Sequence, residues 1–121
     1  MVEKYKAKFY KSSANFKEPV KDYIDNLAHK EKAKVLKYVT FLVENNGYLD
    51  EPYSKHIKGK IRELRVDFTN NRHRIFYFTF IRRTIILLHA FSKKTEKTPI
   101  DEILRAENNY IDTINNSKIY E

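Results

Sequence analysis

The stretch ELRVDFTNNRHRIFYFTFIRRTIILLHAF, residues 63–91, decides the fold. Leu64, Val66 and Phe68 alternate with Glu63, Arg65 and Asp67, a period of two that predicts a strand with one apolar and one charged face. Thr69-Asn70-Asn71 is a turn signal. Beyond it Arg74, Phe76, Phe78 and Phe80 share one face, and His73, Ile75, Tyr77 and Thr79 share the other. Arg82 and Arg83 turn the chain again, into residues 84–91, an almost wholly apolar run that reads as a central strand. Three strands joined by short turns make an antiparallel meander.

Upstream, residues 5–10 alternate weakly and read as an N-terminal strand. Pro19 fits the first position of a helix, and Val20, Tyr23, Ile24 and Leu27 follow at helical spacing. After a break near His29 and Lys30, a second helix turns Val35, Leu36, Val39, Leu42 and Val43 inward. It ends at Asn45-Asn46-Gly47, residue types that tolerate a left-handed terminus. Downstream, Thr98 is the expected cap of a last helix, with Pro99 at its first position and Asp101 near its positive end. Ile100, Ile103, Leu104, Ile111 and Ile114 are its expected buried stripe. The order predicts one α+β domain over residues 1–121: N-terminal strand, helical hairpin, antiparallel meander and C-terminal helix, with the helices on one sheet face.

Composition narrows the function. The chain has 121 residues, 41% of them hydrophobic, too apolar for a disordered tail. It has no cysteine, which excludes a disulfide scaffold, a thiolate metal site and a thiol nucleophile. Its apolar runs are far shorter than a membrane span, and its opening is not a signal peptide, so a soluble cytoplasmic domain without membrane contact is expected. The formal charge is +8, and residues 53–97 alone carry 12 basic against 3 acidic side chains. A charge so focused suggests a surface that grips phosphates; a solvated basic face is the plainer alternative.

Two glycines cannot make a phosphate loop, the four histidines form no metal motif, and no serine sits in a nucleophile elbow. What remains is cationic. Lys93, Lys94 and Lys97 lie between an apolar strand and a helix start, where backbone N–H groups favour an anion; they could equally be a solvated loop. Arg65 projects from the charged face of its strand, as an RNA contact or a cross-strand ion pair. Arg74 stands among phenylalanines, where its head needs water or a partner such as Glu63 or Asp67. His89 reads as a hydrogen-bonded core residue, while His56 in the basic segment is better placed to meet RNA. Tyr53 and Tyr77 could stack on a base or simply pack.

Taken together, these residues resemble a known family. Glu51-Pro52-Tyr53 with Lys55-His56, Glu63-Leu64-Arg65, Arg74 before Ile75-Phe76-Tyr77, Leu87-Leu88-His89-Ala90-Phe91 and residues 93–99 (KKTEKTP) are similar to HigB-type toxins of the RelE/ParE superfamily, in the phage Gp49-like branch. The resemblance implies a RelE-like fold and the toxin of a type II toxin–antitoxin pair. Such a toxin is a ribosome-dependent mRNA endoribonuclease that needs no cofactor and no metal. It implies Arg65, Arg74 and Lys94 as catalytic groups, and Lys55, Lys58, Lys60, Lys93 and Lys97, with His56, as RNA or ribosome contacts. Its partners are a helix-turn-helix, HigA-like antitoxin, the ribosome with its mRNA, and operator DNA reached through the antitoxin complex. A ParE-like inhibitor of DNA gyrase and a non-toxic phage-derived binding domain are the alternatives. Ile100 stands where the best-known RelE pattern has a tyrosine, which leaves the general base open among His56, a lysine of depressed pKa and a ribosomal group.

Overall fold

The computed structural model describes residues 4–121 and has the expected order of elements. These are β1 (Lys6–Phe9), α1 (Pro19–Asp25), α2 (His29–Glu44), β2 (Ser54–Lys58), β3 (Ile61–Phe68), β4 (Asn71–Phe80), β5 (Thr84–Ser92) and α3 (Ile100–Asn115). They form one five-stranded sheet in the order β1-β5-β4-β3-β2. The strands β2 to β5 run as an antiparallel meander, and β1 closes the sheet by lying parallel to β5. Strand β2 extends the three-stranded meander read from the sequence; its lysines and a bulge between His56 and Lys58 hide the alternation.

The helices cover both sheet faces, not one. Val20 and Ile24 of α1 and Val35 and Leu42 of α2 pack against Leu64, Val66, Ile75, Tyr77, Ile85 and Leu87. On the opposite face Ala106 of α3 packs with Phe76, Phe78, Ile86, Leu88 and Phe91. Strand β4 therefore buries both of its sides, which a half-solvated antiparallel strand does not do.

Helix α3 also lies the other way round from the expected orientation. Ala106 and Thr113 are its buried residues, with Ile103 and Tyr110 packed beside them. Ile100, Leu104, Ile111 and Ile114 are exposed, Ile100 by 74%. Ala106 lets the helix approach a face crowded with phenylalanines, Ile103 of the expected stripe and Tyr110 pack beside it, and the other four aliphatic residues of that stripe turn outward. Thr98 does not cap this helix. Pro99 holds the N-cap position, and its carbonyl accepts from the amides of Glu102 and Ile103.

Asp112 ties α3 to the opposite end of the chain. It accepts from the Tyr10 hydroxyl at 2.6 Å, from the Ser13 hydroxyl at 2.6 Å and from the Ser13 amide at 3.0 Å. On the other face, a polar chain joins α1, α2 and β4: the Tyr23 hydroxyl meets His73 Nδ1 at 2.6 Å, and His73 Nε2 meets Glu31 Oε2. Asn71 donates to the same Glu31 oxygen at 2.9 Å.

Both carboxyl groups are held below their ordinary values. For Glu31 the His73 hydrogen bond outweighs burial. For Asp112 burial pushes upward, but the bonds from Ser13, Tyr10 and Asn116 prevail. A carboxyl lowered in the folded state stabilises it above the unfolded pKa, and that stabilisation is lost as pH falls through the folded value. Chemical denaturation at a series of pH values is therefore expected to show a midpoint that is flat near neutrality and falls below about pH 4.5. Replacing Glu31 by glutamine should flatten part of that fall.

Candidate functional site

Strands β3 and β4 place Arg65 directly opposite Arg74. Residues opposite one another in an antiparallel pair share a face, so the two guanidinium groups rise from the α3 side of the sheet. Like charges so placed repel, and each is compensated by a carboxylate. Arg65 Nε donates to Glu63 Oε1 at 2.9 Å, and Arg74 Nη1 donates to Asp67 Oδ1 at 2.8 Å. Arg74 Nη1 also reaches the His73 carbonyl at 3.0 Å. Arg74 is thus ion-paired across strands with Asp67, one of its two expected partners, whereas Arg65 pairs with Glu63 on its own strand and not across strands as expected.

Two atoms of this cluster are incompletely satisfied. Glu63 is fully buried and its Oε2 has no hydrogen-bond partner; Arg74 is 6% exposed and its Nε has none either. Lys93 continues the next row of the same face, its amide donating to the Arg72 carbonyl at 2.8 Å. Burial lowers the Lys93 ammonium pKa from its ordinary value. The Glu63 charge opposes that fall, and Arg74, Arg65 and Arg72 add to it. Lys93 is half-buried in this row, while Lys94 beside it is exposed.

The other candidates scatter. Lys55 is exposed opposite Glu63 on the edge strand, hence on the arginine side. Lys58 pairs with Glu107 at 3.1 Å, and Lys60 is exposed in the β2–β3 turn. Lys94 and Lys97 are exposed in the connection to α3. His56 stands opposite Arg62, on the other side of the sheet from Lys55, and its Nε2 meets the Gly59 carbonyl at 2.8 Å. That placement takes His56 away from the arginines. Tyr77 is buried, its hydroxyl shared between Ser54 and Gly47, so it packs rather than stacks on a ligand.

His89 reaches the site by a route hidden from simple alternation. The register steps from Phe76↔His89 to Tyr77↔Leu87, leaving Leu88 as an extra residue. Through this bulge Leu88 and His89 both face α3, where strict alternation puts His89 with Leu87 and Ile85. Its Nε2 lies 3.3 Å from Glu102 Oε1 on α3. Burial lowers the His89 pKa, and the Glu102 carboxylate opposes that shift. Glu63 was named from the sequence as a partner for Arg74 and serves Arg65 instead; the approach of Glu102 to His89 and the burial of Lys93 are the features the sequence did not disclose. The available signal was a charged face continued across three neighbouring strands.

Chemically, the row can hold a phosphate between two guanidinium groups and exchange a proton at Lys93. Among the described residues no group of three His, Asp or Glu side chains is arranged to hold a metal ion, and no helix is long and apolar enough to cross a membrane. Residues 22–111 match the family model described as phage derived protein Gp49-like (DUF891). No curated protein matches the chain.

Proposed function

The chain belongs to the phage-derived Gp49-like family, and from that membership we propose that it is a HigB-type toxin of a type II toxin–antitoxin pair, a ribosome-dependent endoribonuclease. The observation that carries this reading is the Arg65–Arg74 pair, set face to face across two strands with Lys93 in the adjoining row. The reaction is attack by a ribose 2′-hydroxyl on the neighbouring phosphorus. The P–O2′ bond forms, the P–O5′ bond breaks, and the products are a 2′,3′-cyclic phosphate and a 5′-hydroxyl. The 2′-proton passes to a base, for which we take Lys93, whose pKa burial and the neighbouring arginines lower, as the candidate in this chain. Arg65 and Arg74 stabilise the doubly charged phosphorane, and a proton is delivered to the departing 5′-oxygen.

The protein acts in the cytoplasm, where the ribosome and its message are, and a helix-turn-helix antitoxin silences it and carries the complex to operator DNA. The exposed Ile100, Leu104, Ile111 and Ile114 support the presence of a protein partner, since a row of large aliphatic side chains on one helix is costly to leave in water. The deciding experiment is expression in a host without antitoxin, with mapping of 5′ ends on cellular messages. New ends within translated codons support the reading. Intact messages together with loss of gyrase supercoiling would move the protein to the ParE-like class.

Asp67 competes with the phosphate for Arg74. It is two-thirds exposed, so its pairing is worth at most about 1 kcal/mol. Asp67→Asn is expected to lower KM for the ribosome-bound message by up to about fivefold, measured by initial rates of cleavage.

A further inference from the structure

On the sheet face opposite the arginine pair lies a buried polar cluster that the proposed chemistry does not use. His73 and Glu31 are both buried, and His73 stands in the middle, with Tyr23 of α1 on one ring nitrogen and Glu31 of α2 on the other. The partners fix its tautomer. The Glu31 carboxyl is held below its ordinary value, so near neutrality it can only accept, and His73 Nε2 donates to it. Burial pushes the Tyr23 hydroxyl up to about 12, so it keeps its proton and donates to Nδ1 at 2.6 Å. The two rings meet edge to face, their centroids 5.7 Å apart.

Two features connect this cluster to the cations across the sheet. The first is succession along the strands. His73 lies opposite Ser92, whose side chain is a further hydrogen-bonding neighbour of Tyr23. Consecutive side chains of a strand point to opposite faces, so each of these residues is followed by a cation of the site: Arg74 after His73, and Lys93 after Ser92. The second is a direct bond to the guanidinium. Arg74 Nη1 has two acceptors, Asp67 Oδ1 at 2.8 Å and the His73 carbonyl at 3.0 Å. Asp67 is two-thirds exposed, and so well hydrated a partner is a weak anchor. The His73 carbonyl is backbone, and its place is set by whatever holds residue 73.

We propose that Tyr23, His73 and Glu31 are positioning residues, which together pin the β4 backbone at residue 73 and so hold the Arg74 head in place for the phosphate. The inference rests on the proposed ribonuclease reading and deepens it by naming what stands behind the arginine. None of the three reaches the arginine face, so they act only through Arg74. An apolar trio of similar volume would fill the same space; a satisfied hydrogen-bonded one has directions and admits a single arrangement of helices and strand. Asn71 adds to this by donating to the same Glu31 oxygen, which ties a second residue of the β4 start to α2.

The test compares the intact protein with Tyr23→Phe, Glu31→Gln, Arg74→Ala and each of the first two combined with Arg74→Ala. Asp112→Asn, which loosens the tie to Tyr10 and Ser13, is the control for lost stability alone. On programmed ribosomes Tyr23→Phe and Glu31→Gln are expected to lower kcat by about five- to fiftyfold, with KM held within about threefold. In the Arg74→Ala background neither should lower kcat further. Hydrogen exchange at the buried Arg74 Nε–H, followed by NMR and assigned by its loss in Arg74→Ala, should speed up about tenfold or more in both variants. In Asp112→Asn both kcat and that exchange should stay unchanged. An unaltered kcat or an unmoved Nε–H signal in both variants overturns the inference, and so does a fall in kcat that persists undiminished without Arg74. No cleavage by the intact protein overturns the ribonuclease reading instead. The Nε–H signal then decides the positioning alone, upholding it if it moves and overturning it if it does not.

Discussion

Replacing Arg74 by alanine is expected to reduce message cleavage by roughly 100- to 1,000-fold and to abolish growth arrest, while the protein still folds. The size follows from the task. A guanidinium fixed beside a developing phosphorane needs no reorganisation as charge accumulates, and its loss is felt mainly in the transition state. The fold should survive because the partner left behind, Asp67, is solvated, whereas Arg74 itself is the buried member of the pair. Removing Arg74 also removes a buried Nε that has no acceptor. Thermal melts of the variant check folding, and 5′-end mapping checks chemistry. Arg74→Lys keeps the charge and loses the planar fork, so its rate should fall between the two. Undiminished cleavage by a folded Arg74→Ala protein would remove the arginine pair from the mechanism.

A second large effect is expected at Glu63. Its carboxylate is the one negative charge among the groups that perturb Lys93, facing Arg65, Arg72 and Arg74. Glu63→Gln keeps the shape and removes the charge. Breaking a buried pair costs about 3–5 kcal/mol, and because the Arg65 head reaches solvent a loss of about 2–3 kcal/mol is the better figure. For a chain of this size that corresponds to a fall in Tm of roughly 10 °C. Without the carboxylate the Lys93 pKa falls further, so the limb of the pH–rate profile governed by a basic group should move to lower pH. A variant with an unaltered melt and an unaltered profile would show that Glu63 neither holds the cluster together nor sets the protonation of Lys93.

Much of this could be read from residues 63–91. The turns at Thr69–Asn71 and Arg82–Arg83 and the period of two between them give β3, β4 and β5, because alternation is a direct imprint of the pleat. The helical hairpin was equally legible, since Asn45, Asn46 and Gly47 stand where α2 ends and Gly47 adopts a φ of +81°. The misplaced helix faces have one source. Periodicity identifies which residues share a face, not what covers that face. The Ile100, Leu104, Ile111 and Ile114 stripe of α3 was periodic and still points outward, because the face that meets Phe76, Phe78 and Phe91 is the one carrying Ala106, with Ile103 and Tyr110 beside it. The apolar lining of both sides of β4 was the overlooked signal for helices on both faces. The site was legible as charge and not as geometry. Arg65 and Arg74 could be named, but their exact opposition depends on register, and the arrival of His89 beside Glu102 depends on a bulge at Leu88 that local sequence does not announce.

The pairing of β1 with β5 has a consequence for how the molecule comes into being. A parallel partner made early must wait through two helices and three hairpin strands for its neighbour, and Tyr10 must wait longer still for Asp112. Contacts so distant along the chain slow folding and leave the last strand's edge bare in the interim. During synthesis the meander can assemble first, with its arginines already side by side. The N-terminal segment then docks late, as a latch, so that a nascent chain carries its cationic row before it owns a finished body.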